Sequence, residues 1–93
     1  MSAILATFQS TAPDRLRDLE VAVTAGNADA VRRAAHAYKS AAATIRAREL
    51  AHVLSEIEDA VRNGAAEGFS HKLAHVRTAH AAVLEHLARA TAA

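Results

Sequence analysis

The sequence predicts an all-α fold, on three observations. Alanine, the residue with the highest intrinsic helix propensity, dominates the composition, and Leu, Arg and Glu reinforce it. Only three glycines and one proline occur in 93 residues, so helix-breaking positions are few. No stretch alternates with period two as a half-buried strand would, whereas apolar residues recur at spacings of three and four. The length leaves room for one domain, residues 1–93, around one core. The expected architecture is an antiparallel up-down-up-down four-helix bundle with a short N-terminal capping helix.

From the N-terminus, Ser2 to Ser10 form a short helix presenting Ile4, Leu5 and Phe8, too short to stand alone and placed as a cap on the core. Thr11-Ala-Pro13-Asp14 reads as a new helix entry, with Thr11 as N-cap, Pro13 in the first turn and Asp14 at the positive end of the dipole. That second helix buries Leu16, Leu19 and Val23, leaves Arg15, Arg17, Asp18 and Glu20 largely outside, and stops at Gly26. Asn27 caps a third helix with Asp29 in its first turn, running to about Thr44 or Arg46. No glycine marks its end, and Arg46 disfavours a left-handed turn there.

The next helix, from about Ala47 to Asn63, carries the stripe Leu50, Val53, Leu54, Ile57 and Val61, with Arg48, Glu49, Glu56, Glu58, Asp59 and Arg62 facing out. Asn63-Gly64 ends it. After a loop near Ala65 to Gly68, a last helix runs from Phe69 to about Ala90 and contributes Phe69, Leu73, Val76, Val83, Leu84 and Leu87; Ser70 is an alternative N-cap for it.

Composition also narrows the function. Eleven Lys plus Arg face ten Asp plus Glu, with no basic face of the kind a nucleic-acid binder collects. No apolar run reaches the roughly 18–20 residues of a membrane span, and the N-terminus lacks a signal-peptide pattern. The absence of cysteine excludes a disulfide framework and thiolate metal sites, and fits a cytoplasmic location. Met1 and the compact length favour a freestanding protein.

The third helix draws attention through His36. Val31, Ala35, Tyr38, Ala42 and Ile45 form its apolar stripe, and at 100° per residue His36 lies about 160° from Tyr38, on the opposite face. That face also carries Asp29, Arg33, Ser40, Ala43 and Ala47, so it is nearly bare of bulk beyond the histidine. In an alanine-rich chain this is also what an ordinary exposed histidine would show. Lys39 shifts the balance, because at i+3 its ammonium can reach an anion attached to the imidazole. An imidazole with a solvent-facing nitrogen is a workable nucleophile toward phosphorus.

The other five histidines invite a metal reading. His71 and His75, at i, i+4, share a helix face and could chelate zinc or copper, but no third ligand follows at matching spacing on that helix. The simpler reading makes them solvated, with His80 half-buried and hydrogen-bonded near the stripe, His86 pointing elsewhere and His52 on the surface.

The stretch His36-Ala-Tyr-Lys39-Ser40-Ala-Ala-Ala43-Thr-Ile-Arg46-Ala47-Arg-Glu-Leu50 resembles the signature of histidine-containing phosphotransfer (HPt) domains. That signature reads roughly His-x-Leu-Lys-Gly, a run of small residues, a Gly-Ala pair and a Leu opening the next helix. The resemblance covers essentially the whole chain, through Phe8, the Leu-rich helix, the Ala25-Gly26-Asn27-Ala28-Asp29 turn and the Ile57-Glu58 to Asn63-Gly64 ending; the last helix matches only in character. It implies a bacterial two-component phosphorelay, with His36 as phosphoacceptor, Lys39 as the cation that steadies the phosphoryl group and Ser40 as the small residue that leaves access. Ser40 and Arg46 stand where the family usually has glycine.

Three hypotheses follow. In the first, the chain relays a phosphoryl group between aspartates of response-regulator receiver domains, fed by a (hybrid) histidine kinase. Partners would be chosen by exposed residues such as Arg32, Arg33, Ala43 and Ala47. No cofactor of its own is expected, Mg²⁺ being supplied by the receiver, and the lack of a Gly-rich phosphate loop argues against ATP binding or independent kinase activity. In the second, the bundle docks a receiver or kinase without carrying phosphate, blocked by Ser40. The third is a metal-buffering bundle using His71 and His75.

Overall fold

The computed structural model describes residues 3–64 and 69–92, with side chains as far as Arg89. Four helices are present among them: α1 (Ala3–Ala25), α2 (Ala28–Thr44), α3 (Arg48–Arg62) and α4 (Phe69–Ala92). The expected loop over 65–68 and the expected start at Ser2 lie outside the described residues. All-helical architecture is as the composition predicts.

One element differs. No capping helix separates from the rest: α1 is continuous through Pro13. Thr11 does not cap a new helix; its Oγ1 donates to the Thr7 carbonyl at 2.8 Å, a bond internal to α1. An interior proline costs roughly 3 kcal/mol, through a missing N–H and a clash with the preceding turn. Burial on both sides of it offsets that cost. Phe8, Ala12, Leu19 and Ala22 are buried along one stripe, with Leu5, Leu16 and Val23 packed beside it. Burying a side chain such as Phe8 alone contributes about 1.5–3 kcal/mol. Pro13 itself is exposed. A continuous apolar stripe has overridden a local start signal.

The helix ends follow from backbone chemistry. At the end of α1, the Gly26 N–H bonds the Val23 carbonyl and the Asn27 N–H bonds the Ala22 carbonyl, with Gly26 at φ +67. The Asn27 side chain then accepts from the Ala30 N–H at 3.1 Å, capping α2 as the sequence predicts. At the end of α2 the same two-bond pattern recurs, from the Arg46 N–H to Ala43 and from the Ala47 N–H to Ala42. Here the left-handed residue is Arg46, at φ +62. The geometry that its Cβ disfavours is adopted nonetheless. Gly64, at φ +73, closes α3.

The four helices pack as a ring, α1 on α2, α2 on α3, α3 on α4 and α4 on α1. Tyr38, Leu19, Leu50, Leu54, Ile57, Val31, Val53 and Val76 are its largest fully buried side chains. The apolar positions read from the periodicity therefore converge on one core. A polar bridge crosses it: the Tyr38 hydroxyl on α2 is hydrogen-bonded to His80 Nδ1 on α4, both side chains buried and their rings edge-to-face at 81°. Burial pushes the Tyr38 phenol up, far above its usual range. Burial likewise lowers His80, opposed by the charge of Glu20 on α1. Glu20 is itself held by Arg77 of α4, whose Nε donates to it at 2.9 Å. No helix among the described residues is long and apolar enough to cross a membrane.

Candidate functional site

Helix α2 is held by its buried stripe, Val31, Ala35, Tyr38 and Ala42, so the opposite face must point away from the core. His36 lies there with 62% of its side chain exposed. Ser40 and Ala43 follow one and two turns on, both exposed, and Ala47 is half-buried at the start of α3. The face thus stays low past the imidazole, as the sequence predicts. Thr44 donates from Oγ1 to the Ser40 carbonyl at 2.9 Å, an interaction with the backbone that leaves the Ser40 hydroxyl unused by it. Arg32 and Arg33 are exposed, and both reach the Asp29 carboxylate, at 3.2 and 3.1 Å.

The residue that organises the site is one the sequence places outside. Glu58 of α3 is buried, 8% exposed. It lies beneath His36 and Lys39, with Oε2 3.3 Å from His36 Nδ1 and Oε1 2.8 Å from Lys39 Nζ. Burial alone would raise the Glu58 carboxyl, but its contacts with Lys39 and His36 outweigh that and leave it below its ordinary value of 4.5. Glu58 is therefore a carboxylate at neutral pH and can only accept. In the neutral imidazole the His36 nitrogen facing it carries the proton, which leaves the lone pair on Nε2, the other ring nitrogen. Lys39, about one-third exposed, is anchored at the edge of the same cluster.

A signal for Glu58 was present in the sequence. Leu54, Glu58 and Val61 continue the four-three spacing of the α3 stripe, so Glu58 falls on its margin rather than on the outer face. A carboxylate on a buried margin needs partners, and the only way to find them is to know that α2 is the neighbour.

The other histidines remain apart. His75 Nε2 is 3.4 Å from Glu49 Oε1, and His52 Nε2 is 3.7 Å from Glu56 Oε1. His71 and His86 are exposed, whereas His80 is buried, deeper than the half-burial expected, and hydrogen-bonded as expected. Among the described residues no three His, Asp or Glu side chains gather as a metal-binding group.

An exposed imidazole on a bundle face, its tautomer set from below by a carboxylate, is suited to carrying an electrophilic group. Over residues 3–90 the chain matches the model of the Hpt domain, and it belongs to that family. Hpt domains are phosphocarriers rather than enzymes, and serve histidine phosphotransfer in two-component signalling with receiver domains and kinases. Searches among curated proteins and among solved structures return no match.

Proposed function

We propose that this chain relays a phosphoryl group between receiver-domain aspartates through His36. The observation that carries the reading is the Glu58 contact on His36 Nδ1 beneath an imidazole that is otherwise open to solvent. With the proton on Nδ1, the Nε2 lone pair attacks the phosphorus of a receiver's aspartyl phosphate in line. The N–P bond forms as the P–O bond to the aspartate breaks, and the aspartate leaves as a carboxylate. The positive charge that grows on the ring is met by Glu58. The reverse sequence delivers the group to a second receiver.

Lys39 lies close enough to turn from Glu58 toward the new phosphoryl oxygens, exchanging one anionic partner for another. Ser40 and Ala43 keep the approach open, and Arg32, Arg33 and Ala47 border the area a receiver would cover. The Mg²⁺ that neutralises charge in phosphoryl transfer belongs to the receiver in this reading, and the bundle contributes position. Incubation with a phosphorylated receiver domain tests the assignment. Wild type is expected to acquire an acid-labile, alkali-stable label, and His36→Gln to acquire none; labelled His36→Gln would refute it.

A further inference from the structure

We propose that Arg46 and Arg48 form a cationic docking ridge that engages an acidic surface of the receiver partner and helps to select it. This rests on the relay reading above, and extends it to residues away from the phosphoryl site.

The first observation is backbone geometry. Arg46 holds φ +62 in a turn where glycine would be unstrained, as Gly26 and Gly64 are at two further left-handed helix ends. Strain retained where a common substitution would relieve it points to a use for the side chain. The second is pairing. Arg17 meets Asp14, Arg62 meets Asp59 and Arg89 meets Glu85, each within about one turn of its own helix. Arg46 and Arg48, like the half-buried Arg15, have no carboxylate partner among the described residues, and of the three only Arg46 and Arg48 are exposed. The adjoining Glu49 faces His75 instead.

The third observation is position. Arg46 and Arg48 border a shallow groove floored by Ala43, Ala51 and Ser55, with His52 at its edge. On α3, positions 51, 55 and 58 step by four and three, and on α2 positions 43, 39 and 36 do the same. The positions lining the groove therefore lie in register with the seam that holds Glu58, Lys39 and His36. Eight residues of helical rise place Thr44, the end of α2, about 12 Å from His36, with Arg46 in the turn just beyond, within the footprint of one docked domain. Small residues on the floor leave room for a protein surface, and two exposed guanidinium groups at its end, unpaired among the described residues, select for acidic side chains. The positive end of the α3 dipole adds to the same potential. Such charges act mainly on encounter rate and partner choice, and salt screens them.

The test uses Arg46→Gly, Arg48→Gln and their combination in the full chain, with Arg62→Gln as a control for loss of one positive charge elsewhere. Two donors are compared: a radiolabelled phosphorylated receiver domain, and phosphoramidate, which labels imidazole without docking. Arg46→Gly is expected to melt at a higher temperature and to label from phosphoramidate as wild type does. From the receiver it is expected to label about fivefold more slowly at about 50 mM salt, with the difference shrinking at about 0.5 M. Unchanged or faster transfer from the receiver, with the raised melting temperature, would make Arg46 a turn residue only and overturn the proposal. An equal slowing by Arg62→Gln would overturn it too. If no receiver of the source organism labels the wild type, the relay reading itself fails, and the docking ridge with it.

Discussion

Glu58 shows how much one buried carboxylate changes the meaning of its neighbours. Without it, His36 is an exposed imidazole of undefined tautomer and Lys39 a loose surface cation. With it, Nδ1 of the imidazole faces a carboxylate that can only accept, and the ammonium is anchored on the same carboxylate. A hydrogen bond to a charged group contributes about 1.5–3 kcal/mol, or roughly ten- to a hundredfold in rate when it strengthens in the transition state. Because His36 is largely open to water, the lower end applies. Glu58→Gln is accordingly expected to slow receiver-to-His36 transfer about tenfold, while His36→Gln abolishes it; rapid-quench labelling separates the two. The same variant should alter acid stability. A carboxylate whose folded value lies below 4.5 stabilises the fold above that pH, and the contribution is lost as pH falls through the folded value. Wild type should therefore lose more stability than Glu58→Gln on acidification below about pH 4.5, as followed by chemical denaturation. The placement of His36, Lys39 and Ser40 away from the core was legible in the sequence because a single helix supplies all three. Glu58 was less so, since its role depends on which helix lies beside α2.

Among the elements, α1 and the α2 end mark where local signals and tertiary packing disagree. Thr11-Ala-Pro13-Asp14 has the chemistry of a helix start, yet Phe8 and Ala12 are buried in line with Leu19, and that stripe keeps the helix intact. Pro13→Ala is thus expected to stabilise the protein, by up to about 3 kcal/mol, seen as a higher denaturant midpoint. A destabilised variant would instead point to two helices with proline at a boundary. Arg46 is the second disagreement. Relief of left-handed strain is worth about 1–2 kcal/mol, against about 0.4–1 kcal/mol for the extra freedom of an unfolded glycine. Arg46→Gly should gain the difference, up to roughly 1.6 kcal/mol. The Tyr38–His80 bridge ties α2 to α4 across the core, and its pH dependence has a definite sign. His80 is lowered in the fold, so the unfolded chain binds the extra proton first, and stability falls as pH drops below about 6.5 toward the folded value. Tyr38→Phe leaves a buried ring nitrogen unpaired, at about 1–3 kcal/mol. Tyr38→Phe combined with His80→Leu should recover much of that and flatten the melting temperature between pH 7.5 and 5.5, conditions that calorimetry can compare directly.

For the whole molecule, the ring of four helices separates what holds the site from what performs chemistry. Period-three-and-four stripes were enough to predict α2, α3, α4 and most of the core, though not that α1 runs unbroken through Pro13, because each stripe needs only its own helix to be recognised. Which helices are neighbours is a property of the assembled ring, and so the pairing of α3 with α2 beneath His36, and of α4 with α2 through the core, came only from the structure. That division predicts two distinct ways to lose phosphotransfer. Ile57→Ala empties part of the core one residue from Glu58, where the side chain is 1% exposed. Such truncations cost about 2–5 kcal/mol, a large share of the roughly 5–15 kcal/mol that a domain has in total. Labelling of Ile57→Ala from a phosphorylated receiver should therefore fall with temperature in step with its lowered melting curve, and return on cooling. His36 is exposed and is not a member of the hydrophobic core cluster, so His36→Gln should melt within a few degrees of wild type and take no label at any temperature. Partial labelling of His36→Gln at low temperature would mean that another histidine accepts the group, whereas temperature-independent loss in Ile57→Ala would place that residue's influence in the Glu58 geometry rather than in stability.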